Sequence, residues 1–130
     1  MMFIEEEYKD NKVHFTVTCT TEGILKAVFT GSGSDTGTKT FIALVEKALE
    51  NFPSTLCVLM DLRNQTSVPL KTQLRMGKWL LKIKDKVRKI AIIDGGKTAQ
   101  IVSKGANLKQ IRFFSKSEEE CIDPWFQDSK

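Results

Sequence analysis

Two short apolar runs, each ending in an aspartate, stand out along the chain. Leu56-Cys57-Val58-Leu59-Met60 runs into Asp61, and Ile90-Ala91-Ile92-Ile93 runs into Asp94-Gly95-Gly96. Runs of this length without alternation mark strands buried on both faces. Between them lies a long stretch with helical spacing, so the order strand, helix, strand predicts a parallel crossover unit. Upstream, His14-Phe15-Thr16-Val17-Thr18-Cys19 alternates and predicts a half-buried strand. The turn signal Thr20-Thr21-Glu22-Gly23 then leads to a hairpin partner, Ile24 to Phe29.

The first helix is carried by Phe41, Leu44, Val45, Ala48, Leu49 and Phe52, one stripe at helical spacing closed by Pro53. The segment Gly31 to Gly37 before it holds no core-forming residue and is expected to be a mobile loop. A second loop, Arg63 to Val68, follows the strand Leu56 to Asp61, and Pro69 suits the first turn of the next helix. That helix is predicted from about Leu70 to about Val87. Leu70, Leu74, Gly77 and Leu81, beside Met76, Leu80, Ile83 and Val87, make its apolar face. Lys71, Arg75, Lys78, Lys82 and Lys86 form a single basic stripe opposite, bordered by Trp79. A strand over Lys89 to Ile93, a helix over Lys97 to Asn107 and a strand over Ile111 to Phe114 come next. The chain ends in a helix opened by a Ser117–Glu120 capping pair, with Pro124 inside it or at its end.

The expected architecture is an α/β domain spanning residues 1–130, a mixed five-stranded sheet, mostly parallel, with about four helices covering both faces. Phe41, Leu44, Leu49, Leu59, Leu74, Leu81 and Ile92 are its expected core. No apolar run approaches the roughly 20 residues needed to cross a bilayer. The acidic start, Glu5-Glu6-Glu7, has the wrong sign for a signal peptide. Cys19, Cys57 and Cys121 are widely spaced, odd in number and without metal-ligand spacing. Free thiols in a reducing cytoplasm are the reading. His14, the only histidine, falls in an alternating strand, where a structural or exposed role is preferred to catalysis.

Charge adds an asymmetry hidden by the net value of +4. Residues 1–62 carry −4, residues 63–112 carry +11 and residues 113–130 carry −3. The basic stripe of Lys71, Arg75, Lys78 and Lys82 suggests contact with an anionic surface, although a solvated face is the plainer reading. Because the stripe has one tryptophan, Trp79, and no interleaved aromatics, nucleic acid is disfavoured as a partner. The Gly/Ser/Thr loop fails the spacing of a phosphate-binding loop. Asp61 invites comparison with the phosphoacceptor of response-regulator receivers. The further acidic residues and the lysine of that chemistry are not at the matching strand ends, however. No catalytic set and no metal or cofactor site is evident. Thr66 or Ser67 would serve as N-cap of the second helix.

Three segments carry a family likeness. They are Val58-Leu59-Met60-Asp61-Leu62-Arg63 with Thr66-Ser67, then Val87-Arg88-Lys89-Ile90-Ala91-Ile92-Ile93, and Ile111-Arg112-Phe113-Phe114-Ser115 through Glu118-Glu119-Glu120-Cys121 to Trp125-Phe126. With the element order, they resemble the STAS domain of sulfate transporters and anti-anti-sigma factors, in its STAS/SEC14-like, sporulation stage II AA-like branch. The resemblance implies a non-catalytic bacterial signalling module that binds a protein, with a homodimer as one form. A SEC14-like small-ligand or lipid carrier is the alternative, and an anion-binding accessory factor using the basic stripe is a third. It places contacts at the strand-three to helix-two loop, and with the rim of strand ends they are expected at Asp61, Arg63, Thr66, Ser67 and Asp94. Ser67 is the candidate phosphorylation site, although the family's Asp-Ser-Ser-Gly context is replaced here by Gln65-Thr66-Ser67-Val68-Pro69.

Overall fold

Alternation in the amino-terminal half builds an antiparallel meander. A computed structural model describes residues 2–53, 55–93 and 110–128 of the chain. Strands β1 (Met2–Lys9), β2 (Val13–Thr20) and β3 (Ile24–Ser32) pair antiparallel in chain order. On β2, Val13, Phe15, Val17 and Cys19 are buried while His14, Thr16, Thr18 and Thr20 are half-exposed. Gly23, at φ +92°, turns the β2–β3 hairpin. Gly31, at φ +93°, passes so close to the Lys12 carbonyl that a Cβ would lie 2.4 Å from its oxygen.

The remaining strands, β4 (Leu56–Ser67), β5 (Val87–Ile93) and β6 (Ile111–Phe114), continue the sheet in parallel from β3, giving the order β1-β2-β3-β4-β5-β6. Each parallel step moves the same way across the sheet. Right-handed crossovers therefore place the helices that make those steps on one face. These are α1 (Asp35–Asn51) between β3 and β4, and α2 (Leu70–Ile83) between β4 and β5. Both pack on the main core with Leu25, Ala27, Leu56, Val58, Met60, Ile90 and Ile92. Phe41 of α1 is its hub, with Phe15, Phe29 and Trp79 ring centroids 4.9–5.8 Å away.

The opposite face is split. Over β1–β3 it is polar, with Lys26 and Thr30 exposed and His14 bonded to Glu7 across the strand pair. Over β4–β6 it is covered by α3 (Ile122–Gln127), whose Ile122 and Phe126 pack with Cys57, Ala91, Ile93 and Phe114. Ser115 and Glu118 form a reciprocal capping box on a 3-10 turn, Lys116–Cys121, that leads into α3. The capping pair is thus shifted two residues from the expected Ser117–Glu120. Pro124 sits in the first turn of α3, where the amide it lacks would have no intrahelical acceptor.

The α/β class, the parallel run from β3 to β6 and the cover on both faces agree with the sequence. Among the described residues the sheet has six strands rather than five, because Met2–Lys9 forms an edge strand. The helix expected over Lys97 to Asn107 lies outside the described residues. Phe41 and Ile92 are buried, and Leu44, Leu49 and Leu59 are half-buried against the core. Leu74 and Leu81 are a correction: they are 56% and 40% exposed.

Candidate functional site

The residues expected to form one site are drawn apart by the length of β4. Its apolar part ends at Asp61, but ladder pairing with β3 continues, Thr30 opposite Asn64, Gly31 opposite Gln65 and Ser32 opposite Ser67. The expected loop from Arg63 is therefore strand as far as Ser67. Six residues of strand span about 20 Å, so Asp61 and Ser67 occupy different places along β4, Asp61 between β3 and β5 and Ser67 beyond the end of β5. Asp94 lies outside the described residues.

Asp61 is buried at 4% exposure, at a depth where a lone carboxylate would be costly. Arg63, two residues on and so on the same strand face, resolves this. It donates from Nε to Asp61 Oδ1 (3.0 Å) and from Nη2 to Oδ2 (2.6 Å), and its backbone N–H adds a third bond at 3.1 Å. The far edge of the same guanidinium donates from Nη1 and Nη2 to both oxygens of Glu119, at 3.0 and 3.1 Å. Burial pushes the Asp61 carboxyl pKa up, but the bonds from Arg63 outweigh it and hold it below the usual carboxylate range. The arginine's own pKa is raised further by the two carboxylates. This arrangement clamps the 3-10 turn to β4. Its geometry suits a structural latch, since all three guanidinium nitrogens are engaged by the two carboxylates.

Thr66 and Ser67 are exposed and face β3. Ser67 Oγ donates to Ser32 Oγ at 3.2 Å, and Ser32 Oγ shares a contact with Thr66 Oγ1 at 3.3 Å. Neither caps α2: its N-cap is Pro69, without a side-chain cap bond. The expected N-cap role of Thr66 or Ser67 is corrected accordingly.

The Gly/Ser/Thr segment is likewise more fixed than expected. Ser34 is the buried N-cap of α1; it accepts from the Gly37 amide (2.9 Å) and donates to Asp10 Oδ2 (2.6 Å). Asp10 also accepts from the amides of Lys12 and Val13 and from the Tyr8 hydroxyl, and these bonds, Ser34 foremost, hold its carboxyl well below the usual range. Gly33 donates to the Ser67 carbonyl at 2.7 Å, joining the segment to the end of β4.

The largest departure from the sequence reading is α2. Its buried side is Thr72, Trp79, Leu80 and Ile83, with Trp79 Nε1 donating to Glu46 of α1 at 3.2 Å. Leu70, Leu74 and Leu81 point outward, 60%, 56% and 40% exposed. The basic stripe is therefore beside an uncovered apolar row, not opposite it. Arg75 and Lys82 are occupied within the chain, pairing with Asp35 at 2.8 Å and Glu46 at 3.4 Å. Lys71 and Lys78 are exposed and, among the described residues, make no ion pair. Leu70, Lys71, Leu74, Arg75 and Lys78 line one open groove. The spacing of Leu74 and Leu81 is that of a core stripe, which is why the sequence points to burial there. Only packing distinguishes the two apolar arcs of this helix.

No family model matches the chain, and no curated protein matches it. Among solved structures, it is similar to the crystal structure of an uncharacterized protein of the DUF3478 family with a SpoIIAA-like fold, from Shewanella loihica PV-4. The two are 17% identical, superpose with a TM-score of 0.59, and the match covers 92% of this chain and 90% of that one. At this identity the likeness establishes the fold alone: this chain has a SpoIIAA-like fold. Among the described residues no helix is long and apolar enough to cross a membrane.

Proposed function

We propose that the chain is a non-enzymatic, STAS-like protein-interaction module whose contact surface is the edge formed by the end of β4 and the outward face of α2. The observation that carries this reading is the exposure of Leu70, Leu74 and Leu81 on the helix that directly follows β4. Three large apolar side chains on one exposed arc are a feature of contact surfaces more than of solvated ones. The state of Asp61 supports the non-catalytic side. A carboxylate bonded by both edges to a guanidinium and held ionised is poorly placed to accept a phosphoryl group or to take up a proton. Thr66 and Ser67 add exposed hydroxyls along the same edge.

The test is site-specific photo-crosslinking in the native cell, with the photoreactive residue placed at Thr66, at Leu74, or at Asn51 at the far end of α1. The reading expects one protein species captured from Thr66 and Leu74 and not from Asn51. Capture of lipid instead would favour the carrier reading, and an identical smear from all three positions would refute a defined contact edge.

A further inference from the structure

The outward row of α2 has the spacing of a helix–helix seam. Leu70, Leu74, Gly77 and Leu81 are separated by four, three and four residues, the period of positions that pack against a second helix. At Gly77 the row is notched: an added Cβ would meet nothing within 4 Å. A notch between leucines lets a neighbouring helix approach closely and seat a side chain over the backbone. One side of the row faces the protein's own core through Leu80 and Ile83. The other is flanked by Lys71, Arg75, Lys78 and Lys82, of which Lys71 and Lys78 are exposed without an ion pair among the described residues.

Resting on the interaction-module reading, we infer that α2 docks an amphipathic helix of a protein partner with an apolar seam and an acidic flank. The seam answers Leu70, Leu74 and Leu81, and the acidic flank answers Lys71 and Lys78. Two other occupants fit less well. A second copy joined α2 to α2 would bring two basic flanks together, which like-charge repulsion opposes. An anionic bilayer would accept the leucines and lysines, but it has no use for a notch at Gly77 or a seam that repeats at helix-pairing period.

The test uses three probes on the full chain at about 0.15 M salt. The first is a synthetic peptide of about five helical turns with a leucine seam and glutamates on its flanks. The second is the same peptide with lysines for glutamates, and the third is a vesicle of mixed phosphatidylglycerol and phosphatidylcholine. Calorimetry should show binding of the glutamate peptide and a preference of about tenfold or more over the lysine peptide, equivalent to one decade in Kd. Leu74→Asp, at an exposed position, should abolish binding with its circular dichroism unchanged. The double variant Lys71→Glu, Lys78→Glu should reverse the preference between the peptides, a result that loss of folding cannot imitate. Equal binding of both peptides, or none, would overturn the proposal. So would Leu74-dependent binding to the vesicles without binding to the peptide, which would assign the face to a membrane. If the peptides fail while Thr66 still crosslinks to one protein, the α2 seam is wrong and the interaction-module reading stands.

Discussion

The ammonium of Lys89, on β5, lies 4.9 Å above the ring of Trp125 in α3. The same ammonium donates to the Trp125 carbonyl and, at 2.8 Å, to the Asp128 carbonyl, so one side chain both stacks on the terminal helix and caps its last carbonyls. Short helices have little stability of their own, and α3 holds six residues. Lys89→Met keeps the aliphatic stem but removes the donors. It is expected to lower stability by about 1–3 kcal/mol, the range for losing charged hydrogen bonds at a largely buried site. Hydrogen exchange should speed up first over Ile122 to Gln127; a uniform change across the protein would contradict this role.

The clamp on Asp61 gives a second expectation. Arg63→Ala leaves a buried carboxylate without its main partner and releases Glu119. The expected loss is about 2–3 kcal/mol, below the 3–5 kcal/mol of a fully buried pair because Arg63 is partly exposed. The additional substitution Asp61→Asn should recover much of it by removing the stranded charge. Urea midpoints of the single and double variants check this, and equal losses in both would refute the pairing.

Asp10 sets a pH dependence. Its folded pKa is depressed by bonds from Ser34, Val13, Lys12 and Tyr8. The stabilisation it provides is therefore complete above the unfolded carboxylate pKa of about 4 and is lost as pH falls through the folded value. Asp10→Asn should be clearly less stable than wild type at pH 7, and the gap should narrow as pH is lowered below about 4. Thermal midpoints at a series of pH values check it; a gap that stays constant in acid would exclude the linkage.

Two glycines on helices should respond in opposite directions. An added Cβ at Gly37 would sit 2.7 Å from both Ser34 Oγ and Val13 Cγ1, so Gly37→Ala disrupts the cap of α1. At Gly77 the same change meets nothing within 4 Å and should stabilise the helix by about 0.5–1 kcal/mol through propensity. Chemical denaturation of both variants distinguishes them, and a stabilising Gly37→Ala would show that the cap is loosely held.

Much of the parallel half was legible because its signals are local and strong. The runs at Leu56 and Ile90 and the stripe of α1 have no competing arrangement. The edge strand β1 was not legible: Ile4 and Tyr8 pack on the core, but Glu5, Glu6 and Glu7 between them are exposed. Charged residues on an edge strand discourage pairing with other chains, and the same charges erase the hydropathy pattern. The extension of β4 was missed because Arg63 to Ser67 holds no apolar residue; it is held by backbone pairing with β3. On α2, apolar residues occupy two neighbouring arcs, and periodicity alone ranks neither. Trp79 decided the orientation, by its size, its edge contact with Phe41 and its bond to Glu46. Asp61 and Arg63 could be picked out from the sequence. Their partner Glu119, 56 residues beyond Arg63, could not.

That orientation of α2 has a direct energetic consequence. Leu80→Ala should cost about 2–5 kcal/mol, as for a packed core leucine. Leu74→Ala should change stability by less than about 0.5 kcal/mol, as at an exposed position. A reversed order would return Leu74 to the core.

The most direct measurement of whether α2 is a contact surface is the reactivity of a thiol placed on it. In the variant Leu74→Cys the introduced thiol shares the protein with Cys121, which is exposed near α3, and with Cys19 and Cys57, which are buried. Maleimide labelling of the purified protein should modify the introduced thiol and Cys121 readily. In a concentrated native extract the introduced thiol should be markedly protected while Cys121 keeps its rate. Equal rates at both thiols, in the extract as in the purified protein, would contradict a partner seated on α2.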